Sequence, residues 1–166
     1  MNKKLRLLLF EDCNRTCEGC CNKSWDLKSL SKVTSFKYYY QVMITGGEPM
    51  LDPELVMNVA RKIREENQET EIILYTAKTN NYLWLIEIMY WVDGITITLH
   101  DQSDVKPFKK FDDTAPAHLL YSKSMRLNVF KGVDTSSVDT SCYKVKDNME
   151  WIKDCTLPKN EVFMRW

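Results

Sequence analysis

The stretch Gln41-Val42-Met43-Ile44-Thr45-Gly46-Gly47-Glu48-Pro49-Met50-Leu51-Asp52-Pro53-Glu54 decides the fold class. Residues 41–45 are mostly apolar or β-branched and read as a strand, which two glycines and a proline then stop. Asp52, Pro53 and Glu54 supply a helix N-cap, a proline suited to the first helical position and an acid in the first turn. In the helix that follows, Leu55, Val56, Val59, Ala60 and Ile63 share one face, with Arg61, Lys62 and Glu65 opposite. A strand, a tight turn and an amphipathic helix form one half of a βαβ unit.

The same alternation extends in both directions. Residues 4–10 form an expected first strand, 72–76 a third, 95–99 a fourth and 125–130 a fifth, with 161–165 a possible sixth. Residues 81–91 read as a second long helix, residues 25–32 as a short one, and residues 38–40 as the lead into the second strand. Strands separated by helices imply a parallel sheet with right-handed crossovers. In residues 95–99 Thr96 and Thr98 alternate with apolar neighbours, as Arg126 and Asn128 do in residues 125–130. If helices cover one face, these polar residues face a cavity on the other; the competing reading makes them solvent-facing positions of an edge strand. The expected architecture is α/β, an open partial (β/α)6-type barrel with a parallel sheet, in one domain spanning residues 1–166. Residues 101–118, polar with two prolines, and residues 132–141, rich in Ser, Thr and Asp, read as loops or lids. The aromatics Trp25, Tyr38, Tyr39, Tyr40, Trp84 and Trp91 read as core.

Charge narrows the partners. Lys plus Arg and Asp plus Glu are each 23, so no net field recommends nucleic acid or a membrane surface. The longest apolar stretch, residues 83–92, is about half a membrane span and contains Glu87. The first ten residues run into Glu11 and Asp12 without the small-residue cleavage site of a secretory signal. A cytoplasmic location is expected, and there the six cysteines are expected as metal ligands or free thiols rather than disulfides.

Cys13-Asn14-Arg15-Thr16-Cys17-Glu18-Gly19-Cys20 spaces three thiols as C-x3-C-x2-C directly after the first strand. Three thiolates in one short loop can each take one iron of a cubane cluster and leave a fourth iron open. A structural zinc site wants four ligands, commonly from two segments. Cys21 offers a fourth, although adjacent cysteines seldom bind one metal at good angles. On spacing alone iron–sulfur and zinc both stand. Cys142 and Cys155 belong to no close cysteine pair and, with Cys21, read as free thiols.

The cysteine loop after one strand, with Gly46-Gly47-Glu48-Pro49 after the next, resembles the radical S-adenosylmethionine superfamily over residues 5–128. The resemblance implies a [4Fe-4S] cluster on Cys13, Cys17 and Cys20, with the amine and carboxylate of S-adenosyl-L-methionine chelating the open iron. It implies that Gly46, Gly47 and Glu48 meet the amine; glycines permit close backbone approach and a carboxylate complements an ammonium. Gly19, Thr76, Thr98, His100 and Asn128, with Tyr75, are expected around the ribose and adenine, since ligands of parallel α/β folds gather at the C-terminal strand edge. The family usually has an aromatic residue where this chain has Gly19, whose backbone could still meet the adenine edge, so the side-chain packing there must come from elsewhere. The implied chemistry is reductive cleavage to a 5′-deoxyadenosyl radical that abstracts hydrogen from a substrate, with the cofactor carrying the hard chemistry and no acid–base residue required.

Among short members the chain is similar to the activating proteins of anaerobic ribonucleotide reductase. Cys17-Glu18-Gly19-Cys20-Cys21-Asn22 and Val92-Asp93-Gly94 carry that likeness, with Cys21 where those proteins have tyrosine. It is less like 7-carboxy-7-deazaguanine synthases, which insert residues in the cysteine motif. The substrate is expected to be either a small molecule under residues 101–118 or a protein completing the barrel from outside. A reductant such as a flavodoxin or ferredoxin is implied. An iron–sulfur carrier or zinc module stays as the non-enzymatic alternative, although neither needs an ammonium-binding loop.

Overall fold

Leu5, Leu7, Val42, Ile44, Ile72, Leu74, Ile95, Ile97 and Leu127 are inaccessible to solvent, because the helices cover that face of the sheet. The computed structural model describes residues 3–152 and 154–166. Its strands are β1 (Lys3–Leu8), β2 (Tyr39–Thr45), β3 (Glu71–Thr76), β4 (Gly94–Leu99), β5 (Ser124–Phe130), β6 (Lys144–Met149) and β7 (Glu161–Arg165). They form one sheet in the order β6-β5-β4-β3-β2-β1-β7, and every neighbouring pair is parallel. The sheet does not close on itself, so the architecture is the open partial barrel expected.

The helices are α1 (Pro53–Glu66), α2 (Tyr82–Met89), α3 (Val105–Thr114) and α4 (Ala117–Ser122). The Asp52 carboxylate accepts from the Leu55 amide at 3.0 Å and caps α1, a contact worth about 1 kcal/mol. Val56, Val59, Ala60 and Ile63 are buried against the sheet, and Leu55 packs at the edge of the same cluster. The opposite face of the sheet carries the polar alternation: β5 runs half-buried, buried, half-buried throughout. Since β4 and β5 are both interior to the sheet, Thr98 and Asn128 are not edge positions.

Four expectations are corrected. Residues 101–118 are not a lid: a 3₁₀ turn at Gln102–Asp104 leads into α3 and then α4. Pro107 sits in the first turn of α3, where a missing amide costs nothing, and Val105, Phe108 and Phe111 bury one helical face. Residues 25–32 form no α-helix; 3₁₀ turns occupy Cys21–Ser24 and Leu27–Ser29. β6 was not expected at all, because Lys144, Val145, Lys146, Asp147 and Asn148 are all exposed and carry no burial period. Lysines on such an edge discourage further strand pairing. Finally, Tyr38 is 80%, Trp84 41% and Tyr40 38% exposed, so none of the three belongs to the core. Among the described residues no helix is long and apolar enough to cross a membrane.

Candidate metal and cofactor site

The parallel strands all end at one rim, and two loops leave that rim side by side. The loop after β1 carries Cys13, Cys17 and Cys20; the turn after β2 is Gly46-Gly47-Glu48-Pro49. Backbone bonds stitch them together: the Gly47 amide donates to Phe10 O at 2.8 Å and the Glu48 amide to Asp12 O at 2.9 Å. This approach is possible only without a side chain at 47, where a Cβ would lie 1.8 Å from the Asp12 carbonyl oxygen. Asn22 adds a third stitch, its Nδ2 donating to Gly46 O at 2.8 Å.

A cavity of about 440 Å³ opens beside this joint on the face opposite the helices. Cys13, Cys17 and Cys20 line it, as do Gly19, Gly46, Gly47, Glu48, Thr76, Thr98, His100 and Asn128. Tyr75 joins them. Every residue expected to hold the cluster or the cofactor therefore borders the same space, whereas Thr96 and Arg126, also expected to face a cavity, are not in its lining. Arg6 and Glu161, unmarked by any motif, form an ion pair of 2.6 Å within its lining.

Glu48 is oriented inward. It is 3% exposed, and its Oε1 accepts from the Met50 amide at 2.9 Å and the Thr76 hydroxyl at 2.5 Å. Its Oε2 accepts from the Ala77 amide at 2.8 Å. The carboxylate thus braces the Gly-Gly-Glu-Pro turn against the end of β3, with lone-pair capacity left on Oε2.

Arg15, inside the cysteine loop, fastens the loop to β4. Its guanidinium pairs with Asp104, lies 3.4 Å from Asp101 and reaches Ala77 O at 3.5 Å. Asp104 is itself held, its Oδ2 accepting from the His100 amide at 2.8 Å and the Asp101 amide at 3.3 Å. Neither Arg15 nor Asp104 stood out in the sequence; an arginine between two cysteines of a ligand loop was the only available signal.

The three cysteines are free thiols, Cys13 exposed and Cys17 and Cys20 half-buried. Burial pushes the Cys17 thiol up, and the nearby Cys20 and Cys13 add to the effect. Among the described residues no three His, Cys, Asp or Glu side chains converge closely enough for a single metal ion. A cubane is larger than an ion and takes its thiolates at separate corners, so three thiols spread around one cavity suit it. Metal must displace the thiol protons, which makes loading more favourable as pH rises.

Cys21 and Cys155, expected as free thiols, are joined in a disulfide. The chain after β6 passes close to the cysteine loop and brings the two Cα atoms to 5.5 Å, within the usual disulfide range. Of the three remaining cysteines only Cys142 is free.

His100 follows β4, its Nδ1 buried without a partner. Burial holds the imidazolium pKa below the usual 6.5, and the Arg15 guanidinium adds to this, while Asp104 and Asp101 oppose it without reversing it. Below pH 6.5 the unfolded chain takes up this proton first. Its contribution to stability is therefore complete above pH 6.5 and lost as pH falls through the lower folded value. Melting temperatures measured down this range should fall more steeply for the wild type than for His100→Gln; equal slopes would refute the assignment.

Residues 4–105, well over half of the chain, match the model of the 4Fe-4S single cluster domain, and the chain belongs to that family. The matched span takes in the cysteine loop, the Gly-Gly-Glu-Pro turn and the Arg15–Asp104 pair. It ends at the start of α3. No curated protein matches the chain.

Proposed function

We propose that this 4Fe-4S protein is a radical S-adenosylmethionine enzyme. The observation that carries the reading is the backbone stitching of the cysteine loop to the Gly-Gly-Glu-Pro turn beside one cavity. A carrier of electrons needs a cluster loop alone. A second loop held against it by a glycine that tolerates no side chain has a purpose if a ligand must meet both.

Cys13, Cys17 and Cys20 would hold the cluster, leaving one iron for the ligand's amine and carboxylate. Bound together, cluster and S-adenosylmethionine would supply a 5′-deoxyadenosyl radical able to abstract hydrogen from a substrate. The chain's own work is positional. Gly46 and Gly47 let the backbone approach the cluster loop, and Glu48 fixes the turn's shape through Met50, Thr76 and Ala77. Arg15 and Asp104 keep the loop seated over the strand ends. Thr98, His100 and Asn128 would present polar atoms to the ribose and adenine.

The crossing of the cavity side by the chain after β6 favours a small-molecule substrate over a protein that completes the barrel. A cytoplasmic flavodoxin or ferredoxin would serve as electron donor. The test is anaerobic reconstitution with iron and sulfide, then incubation with S-adenosylmethionine and a strong reductant. A brown protein that releases 5′-deoxyadenosine is expected. A colourless protein retaining stoichiometric zinc, or a brown one that leaves the cofactor intact, would overturn the reading.

A further inference from the structure

β6 and β7 are the two opposite edges of the sheet, so the chain between Met149 and Glu161 passes from one to the other. Its described residues 150–152 and Cys155 lie on the cavity side. Glu150, Trp151 and Ile152 line the cavity together with the cysteine loop, and Cys155 is bonded to Cys21, next to the third cysteine of that loop. The crossing is a strap fixed at both ends, and it lies outside the span matched by the family.

Trp151 is its inward residue. Its ring stacks on His100, with centroids 5.3 Å apart and planes 17° apart, and tilts against Phe130 at 4.5 Å. Its stem fills the space left bare at Gly19, where a Cβ would lie 2.4 Å from the Trp151 Cβ. Gly19 and Trp151 are thus complementary: a side chain at 19 would push the tryptophan out. Trp151 nevertheless remains 40% exposed, which leaves ring surface available. Beside it His100 Nδ1 lacks a partner, and Asn128 Nδ2 makes only a long 3.4 Å contact with Thr98. An aromatic wall flanked by an unpartnered ring nitrogen and a weakly engaged carboxamide suits a flat, nitrogen-rich ring that stacks and also hydrogen-bonds at its edge.

We propose that Trp151, brought in on the strap and seated against Gly19, is the aromatic wall that binds the purine ring of an adenosyl ligand. The proposal rests on the function argued above and extends it to a residue the family match does not reach.

Calorimetric titration of the reconstituted, anaerobic protein tests it with two probes, S-adenosylmethionine and free methionine, the second lacking a purine. Trp151→Ala should weaken S-adenosylmethionine binding by about tenfold or more, as loss of an aromatic stack does, and leave methionine binding unchanged. Trp151→Phe should retain most of the affinity. Gly19→Ala should weaken binding in the wild-type background and add nothing to Trp151→Gly, which removes the Cβ, Cγ and Cδ2 atoms that a Cβ at 19 would meet. Iron content and melting temperature of each variant establish that it is folded. Undiminished S-adenosylmethionine affinity in Trp151→Ala overturns the proposal, as does an equal loss for methionine, which marks a merely structural role. A wild type that binds methionine but not S-adenosylmethionine, or neither, overturns the proposed function together with this inference.

Discussion

Gly47→Ala is expected to lower the melting temperature by roughly 6–15 °C and to abolish cluster retention. The added Cβ would lie 1.8 Å from Asp12 O, 2.3 Å from Asp12 C and 2.5 Å from Glu11 O, all backbone atoms with no rotamer to yield. The two loops must separate, and with them go the amide bonds from Gly47 to Phe10 and from Glu48 to Asp12. Overpacking of this kind costs about 1–3 kcal/mol, and stranded amides add roughly 1–3 kcal/mol more. A total of about 3–4 kcal/mol, in the middle of the combined range of about 2–6 kcal/mol, gives the expected shift at roughly 2–4 °C per kcal/mol for a chain of this size. Gly132→Ala is the control. Gly132 has φ +89° with open space around its Cβ position, so only left-handed backbone strain of about 1–2 kcal/mol is added, and the cluster should survive. Equal melting losses in the two variants, or a Gly47→Ala protein that keeps its iron, would show that the loops are not held together as described.

This contrast explains what was legible in the sequence. Residues 41–54 announced a strand, a turn and a capped helix because each signal was local, and the observed Asp52 cap and buried α1 face follow from it. The cysteine spacing and the Gly-Gly-Glu-Pro turn were legible for the same reason. What the sequence withheld depended on distance along the chain. Cys21 and Cys155 are 134 positions apart, and nothing near either residue marks the other. Trp151 meets Gly19 only because β7 pairs with β1, which obliges the chain to recross the sheet. β6 was hidden differently. An exposed edge strand has no face to bury and therefore no alternation to read. In α3 the signal was present, at Val105, Phe108 and Phe111, but Pro107 disguised it as a loop.

The same dependence on distance makes Asp104 a second sensitive point. Its carboxylate is the shared anchor of the cysteine loop and the end of β4, pairing Arg15 through Oδ1 and the His100 and Asp101 amides through Oδ2. The Arg15 and Asp104 side chains are 20% and 7% exposed. Removing one member of a fully buried pair costs about 3–5 kcal/mol; with Arg15 partly solvated and Asp101 still 3.4 Å away, Asp104→Ala is expected to cost about 2–3 kcal/mol. Asp104→Asn keeps an acceptor for the amides and loses only the charge, so about half that loss is expected. The readout that separates anchoring from simple stability is iron content at a temperature where both variants remain folded. If Arg15 seats the loop through Asp104, Asp104→Ala should lose cluster while folded, and Arg15→Ala should match it, with the double variant no worse than either single one. Additive losses would place the two residues in separate roles and detach the cysteine loop's position from β4.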